Sequence, residues 1–405
     1  MITSLGRAAF HTTALFVCML ALAACGTILR QAAPVALAEK ASMVGFSEIR
    51  FYPLTDPAPA RKMLETAFFT ETPESYEELP DGSRVYSYLS VSGGGSDGAF
   101  GAGLINGWTE AGSRPHFKVV TGVSTGALIA PFAFLGPEYD AVLKKSYTTV
   151  DASAIFIVRS LLSILWAESL TDTAPLKSMV ASYIDEKVLD AIAKEHAKGR
   201  RLLVATSNLD AEQPVIWDMG AIASSKDKKR LDLFRTIMVA SASIPMVFPP
   251  AMINVDIDGN PYDEMHVDGG VFLQSFSIAS VLDLDRAIAE AHPDFKGKVV
   301  QRLYVIRNGR VTPEPRAVDR SLGSITMRAI GTMLKMSGVN DLYRLYLSSL
   351  HDNVEFRFIA IPPEFETKTS EQFVEEEMIR QYDFGREMAL SGIPWRTTPP
   401  GYTPE

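Results

Sequence analysis

Phe117-Lys118-Val119-Val120-Thr121-Gly122-Val123-Ser124-Thr125-Gly126 is the stretch on which the fold turns. Phe117–Val123 is rich in β-branched residues and reads as a strand, while Thr125–Leu135 is an apolar run that reads as a helix. Between them stands G-x-S-x-G, the pattern of a sharp strand-to-helix turn that lifts a serine hydroxyl above a sheet edge. Gly122 and Gly126 let the backbone turn tightly at this elbow. The helix behind it aims unbonded N–H groups and a positive dipole end at the same point.

Upstream, Arg84–Val91 reads as a strand and Gly98–Glu110 as a helix, joined by Ser92-Gly93-Gly94-Gly95-Ser96-Asp97-Gly98. Downstream, Leu176–Lys198 reads as a helix, Arg201–Ser207 as a strand and Asp232–Ala240 as a helix. Ala251–Ile257 and Pro261–Val267 flank the hairpin turn Asp258-Gly259-Asn260. Later strands are expected at Arg302–Arg307 and Val354–Ile361. Strands alternating with helices predict an α/β fold, a three-layer sandwich with a mostly parallel central sheet. The apolar run Ile155–Trp166 reads as a buried helix, with a membrane-facing lid as the alternative.

Consecutive glycines expose backbone N–H groups that can converge on an anion, and in acyl transfer that anion is the tetrahedral oxyanion. Gly93, Gly94, Gly95 and Gly98 also spell the G-x-G-x-x-G of dinucleotide folds. That reading needs an acid about twenty residues on, at the end of the second strand. The second strand here ends in Gly122-Val123-Ser124 instead, which favours an oxyanion site at Gly93, Gly94, Gly95 and Gly98.

Val267-Asp268-Gly269-Gly270 closes the hairpin, and Ala240-Ser241-Ala242-Ser243-Ile244-Pro245 precedes it. The glycine-rich loop, G-x-S-x-G about thirty residues later, this Ala-Ser stretch and Asp-Gly-Gly together resemble the patatin-like phospholipase family over about residues 88–281. The resemblance implies Ser124 as nucleophile, Asp268 as base, and Gly94 and Gly95 as the oxyanion donors. It implies hydrolysis of lipid or phospholipid esters through an acyl-Ser124 intermediate. Family members usually carry Lys or Arg where this chain has Asp97, which leaves the role of that charge open, with head-group preference one candidate. An aspartate can serve without histidine only if proton removal is concerted with attack and the oxyanion site supports it.

Two other readings stand beside this one. An α/β-hydrolase-type esterase with a Ser-Asp-His triad would make His292 or His351 essential. A non-catalytic lipid-binding envelope lipoprotein would not react with a serine-directed phosphonate. Of the histidines, His266 shares a strand face with Asp268, and the plain reading makes it a structural hydrogen-bond partner. No cofactor is expected. No H-E-x-x-H or cysteine cluster suggests metal, and Asp256–Gly259 lacks the spacing of a calcium loop.

The composition (405 residues, 47% hydrophobic, formal charge −9) is that of a globular protein. The acidic balance argues against nucleic acid as a partner and against general attraction to anionic lipid. Membrane contact is expected from the N-terminus. Arg7 precedes an apolar run, Ala14–Ala24, too short for a comfortable membrane span and right for a secretory signal. Leu22-Ala23-Ala24-Cys25 resembles the bacterial lipobox, in which cleavage precedes a lipidated cysteine. The expected organisation is a signal peptide (1–24), a tether (25–45), an N-terminal extension (46–85), a catalytic domain (86–282) and a C-terminal extension (283–405). The expected location is the bacterial envelope, lipid-anchored and facing the periplasm.

Overall fold

A computed structural model of the chain describes residues 30–159, 168–369 and 371–403. One large sheet runs in the order β1 (Arg50–Phe51), β8 (Gln213–Asp218), β7 (Arg201–Asn208), β4 (Phe117–Val123), β3 (Arg84–Val91), β11 (Val299–Arg307) and β12 (Val354–Ala360). From β7 to β12 the strands are parallel. Antiparallel additions lie at its margins: β8 on β7, β2 (Glu77–Glu78) on β3, and the hairpin β9 (Ala251–Ile257) and β10 (Asn260–Asp268) on the end of β7.

Alternation along the strands divides the core. Leu89, Val91, Val120, Leu202, Val204 and Ile306 point to one face. There they meet α2 (Gly98–Glu110), α3 (Thr125–Leu135), α6 (Glu186–Ala197), α7 (Arg230–Ser241) and α9 (Glu375–Leu390). Tyr88, Val119, Leu203, Val305 and Phe358 point to the other, against α1 (Ala58–Phe69) and the second half of α8 (Leu322–His351). Every residue of β4 is buried, and its one charge, Lys118, is paired with Glu71 at 2.7 Å. The molecule is therefore an α/β three-layer sandwich with a central parallel sheet.

Several elements differ from their sequence reading. Leu176–Lys198 is two helices, α5 (Ala174–Tyr183) and α6, because the Asp185 carboxylate accepts the N–H of Val188 and caps a new start. The return strand β8 was not anticipated. Ile157 and Val158, part of the run read as a buried helix, form β5, an exposed strand pairing antiparallel with β6 (Thr171–Asp172). The rest of that run, residues 160–167, lies outside the described residues, as do residues 1–24 and Cys25. The segment before β3 contributes to the core: Leu64 and Phe68 of α1 are buried. The segment after residue 282 supplies β11, the strand next to β3. Among the described residues no helix is long and apolar enough to cross a membrane.

Candidate active site

The pairing of β7 brings Ser124 and Asp268 together. Val123, the last residue of β4, pairs with Ala205, and Asp268, the last residue of β10, pairs with the next position, Thr206. The two strands thus meet end to end along one edge of β7. Ser124 is held at φ 55°, ψ −125°, a conformation that non-glycine residues rarely adopt and that persists only when the surroundings enforce it. Here the surroundings are steric: a Cβ on Gly122 would overlap the Gly126 carbonyl, and one on Gly126 would overlap that of Val91. The Ser124 N–H donates to Ser241 Oγ at 2.9 Å, and Ser241 Oγ donates to the Ala205 carbonyl at 2.7 Å.

Asp268 is 5% exposed. Its Oδ1 accepts the Gly270 N–H at 2.7 Å, and its own N–H donates to the Ser243 carbonyl at 2.8 Å. Oδ2 is buried without a formed hydrogen bond. Burial pushes the carboxyl up to about 7, while the nearby Ser124 hydroxyl and the Gly270 N–H pull it back down. Ser124 and Asp268 are thus neighbours at this edge of β7, with no hydrogen bond formed between their side chains. Histidines lie elsewhere. His266 is buried between Thr206 Oγ1 (2.8 Å) and Glu264 Oε2 (3.1 Å), whose carboxylate also takes a fork from Arg50. His292 faces Glu71, and His351 sits exposed beside Asp352. Among the described residues no hydrogen bond joins a histidine to Ser124 or Asp268.

The glycine loop lies directly against the elbow. A Cβ on Gly93 would stand 3.1 Å from that of Ser124. Its four glycines are not equivalent. The Gly93 N–H donates to the Gln274 carbonyl at 3.2 Å, and that of Gly98 closes a helical turn onto Gly95 and Ser96. Both are therefore corrected as oxyanion donors, since their N–H groups are already bonded. Gly94 and Gly95 keep N–H groups that no hydrogen bond among the described residues takes up.

Three side chains that no motif announced hold this loop. Arg307, buried at the end of β11, donates through Nη1 to the Gly93 carbonyl (2.7 Å), Ser92 Oγ (3.0 Å) and Gln274 Oε1 (3.2 Å). Asn308 donates to Ser92 through both its backbone and its side chain. Gln274 reaches back to the Gly270 carbonyl. Asp97 points to the C-terminal helix, accepting Gln381 Nε2 at 2.8 Å, and burial lifts its carboxyl to about 6 against that bond. A small apolar pocket opens beside the elbow, lined by Thr125, Leu128, Phe132, Val150, Met179 and Met238 among others.

A serine at a strained strand–helix turn, a buried carboxylate beside it and two unbonded N–H groups stand together at this edge of the sheet. Residues 89–279 match the family described as patatin-like phospholipase. Two solved structures are similar. One is the crystal structure of VipD from Legionella pneumophila, at 13% identity and TM-score 0.37, over 78% of this chain and 69% of that one. The other is human GIVD cytosolic phospholipase A2, at 9% identity and TM-score 0.32, over 82% of this chain and 60% of that one. No curated protein matches the sequence.

Proposed function

We propose that the protein is a lipid acyl hydrolase in which Ser124 and Asp268 form the complete proton-transfer pair. Ser124 Oγ attacks the ester carbonyl while its proton passes to Asp268 Oδ2. The carbonyl oxygen becomes an oxyanion facing the N–H groups of Gly94 and Gly95. Asp268 then gives the proton to the departing alkoxide, leaving acyl-Ser124. A water attacks the acyl carbonyl, Asp268 takes its proton, and the serine is restored when that proton returns to Oγ. The observation that carries this reading is the buried, unbonded Asp268 Oδ2 beside the serine, with its carboxyl lifted to about 7. A base poised near the working pH transfers protons most effectively.

The apolar lining of the pocket beside Thr125 favours an acyl group over a polar one at this position. The lipobox-like Leu22–Cys25 supports a mature chain that begins at a lipidated Cys25 and is held to a bacterial envelope membrane, facing the periplasm. The test of the enzymatic reading is a fluorophosphonate probe applied to wild type and to Ser124→Ala, alongside release of fatty acid from phospholipid. Wild type should be labelled at Ser124 and release fatty acid, and Ser124→Ala should do neither. A folded wild type that resists the probe and leaves lipids intact would favour the lipid-binding lipoprotein.

A further inference from the structure

Helix α8 runs Leu322–His351, thirty residues, and its two halves live in different surroundings. From Gly338 onward it packs against the sheet, burying Val339, Leu342, Leu345 and Tyr346. None of residues 322–337 is buried. The chain leaves the helix at His351 and enters β12 at Val354, which pairs with Gln301 in the first third of β11. The helix therefore runs antiparallel to the strands, and Gly338 lies against Arg307 at the strand ends near Ser124. At 1.5 Å per residue, the sixteen residues before Gly338 carry the helix about 24 Å past the catalytic edge of the sheet.

The polarity of this projecting half is reversed. Leu322, Ile325, Ala329, Met333 and Met336 fall at helical spacing on one face, and all five are exposed, Leu322 at 86% and Met333 at 70%. Arg328 and Lys335 lie on the flank of this stripe, about 100–120° round the helix, and tie the helix to the protein. Lys335 pairs with Glu314 at 2.9 Å and donates to the Thr312 carbonyl, while Arg328 donates to the Glu314 carbonyl at 2.8 Å. The apolar stripe is left to solvent. At its tip Arg316 and Arg320 are exposed, and among the described residues neither forms an ion pair. Residues 316–336 thus hold four basic side chains and one acid, Asp319, in a chain whose formal charge is −9.

We propose that the first half of α8 is a membrane-surface anchor that inserts its apolar stripe among lipid acyl chains and seats the Ser124 edge of the sheet on the bilayer. An exposed apolar stripe rimmed by basic residues matches an interface of acyl chains under anionic head groups. A second copy of the chain fits less well, because pairing two such tips would set Arg316 and Arg320 against their like charges. The same edge carries another exposed apolar group, Ile157 and Val158 of β5 with Met246, joined to it by the Leu170 N–H bond to the Met246 carbonyl. The proposal deepens the lipid-hydrolase reading and rests on it.

The test labels the full chain with an environment-sensitive fluorophore at Met333→Cys, or at His351→Cys on the other end of the same helix, with labelled wild type as the blank. Vesicles of phosphatidylcholine containing phosphatidylglycerol should raise and blue-shift the Met333 signal roughly threefold and leave the His351 signal unchanged. Phosphatidylcholine alone should act more weakly. A Leu322→Asp/Met333→Asp variant should lose roughly tenfold in hydrolysis of vesicle phospholipid, with turnover of a water-soluble p-nitrophenyl ester unchanged within about twofold. A silent Met333 probe, equal responses at both ends, or a response driven by protein concentration without vesicles (a second copy on the stripe) overturns the proposal. If wild type cleaves neither substrate while the Met333 probe still responds, the hydrolase reading fails and the anchor stands.

Discussion

The Ser241 hydroxyl accepts the backbone N–H of Ser124 at 2.9 Å and donates its own hydrogen bond to the Ala205 carbonyl on the neighbouring strand. This bond is made to the residue whose backbone is most constrained in the site, and both partners are buried. Ser241→Ala should leave that N–H without an acceptor, at a cost of about 1–3 kcal/mol. Because the elbow is then held by sterics alone, kcat should fall roughly tenfold with KM little changed. Steady-state kinetics on a soluble ester and a thermal melt check both halves. Full kcat in a destabilised Ser241→Ala would reduce the bond to a purely structural role.

Gly94 and Gly95 should respond differently to the same substitution. A Cβ on Gly94 would overlap the backbone carbonyl of Asn308, which has nowhere to go. A Cβ on Gly95 meets only the end of the Gln372 side chain at 2.8 Å, although Gly95 sits at φ +59°. Gly94→Ala should therefore lose roughly a hundredfold or more in kcat, the scale of a missing oxyanion donor, and Gly95→Ala roughly tenfold. Phosphonate labelling rates for the two variants give the comparison. The reverse order would mean that the oxyanion is held elsewhere.

Asp268 links activity and stability to pH with opposite signs. As the base it must be ionised, so kcat/KM on a neutral ester should rise with pH through an apparent pKa of about 7 and level off above it. In the unfolded chain the carboxyl titrates near the ordinary ~3.9. Its raised folded value means that its contribution to stability is full below about pH 4 and is lost as pH rises towards 7, where the buried carboxyl must ionise. Asp268→Asn keeps an acceptor for the Gly270 N–H and carries no charge. It should abolish activity yet melt at least about 2 °C above wild type at pH 8, with the gap closing at pH 4. Melting curves at the two pH values decide the matter, and an Asp268→Asn that is less stable at pH 8 contradicts the raised pKa.

What could be read from the sequence was local. The strand–Ser124–helix turn, the glycine loop and the Asp268 hairpin each carry their own periodicity and punctuation within a dozen residues, and each forms where expected. The Ala-Ser stretch was recognisable as a pattern, but its work was not. Ser241 and Ser243 act through contacts with Ala205, Ser124 and Asp268 that only the folded sheet creates. Strand β8 escaped notice because Gln213-Pro214 looks like a loop and only the pairing with β7 makes it a strand. The glycine loop showed which N–H groups exist, and tertiary bonds decided that Gly93 and Gly98 use theirs internally. Arg307 carries no local signal at all, being one basic residue at the end of a strand.

Removal of Arg307 gives the sharpest test of how the loop is held. Its guanidinium is buried, and burial lowers its pKa while Asp97 and Asp341 pull it back up. Nη1 alone reaches the Gly93 carbonyl, Ser92 Oγ and Gln274 Oε1, so one side chain ties the loop to the segment that follows Asp268. It touches neither the Ser124 hydroxyl nor the Asp268 carboxylate, which makes it a positioning residue. Arg307→Gln should leave the Gly93 carbonyl without its side-chain donor, a loss of about 1–3 kcal/mol. Arg307→Lys keeps the charge and loses the planar fork, so it should recover stability more than activity. A loop displaced by a fraction of an ångström moves the Gly94 and Gly95 N–H groups off the oxyanion, so kcat should fall roughly tenfold to a hundredfold. KM for a soluble ester should change by less than about threefold, since Arg307 does not line the apolar pocket beside Thr125. Kinetics at a temperature where both variants are folded separate the two effects. If folded Arg307→Gln turns over at the wild-type rate, the loop is held by Asn308 and Gln274 without it.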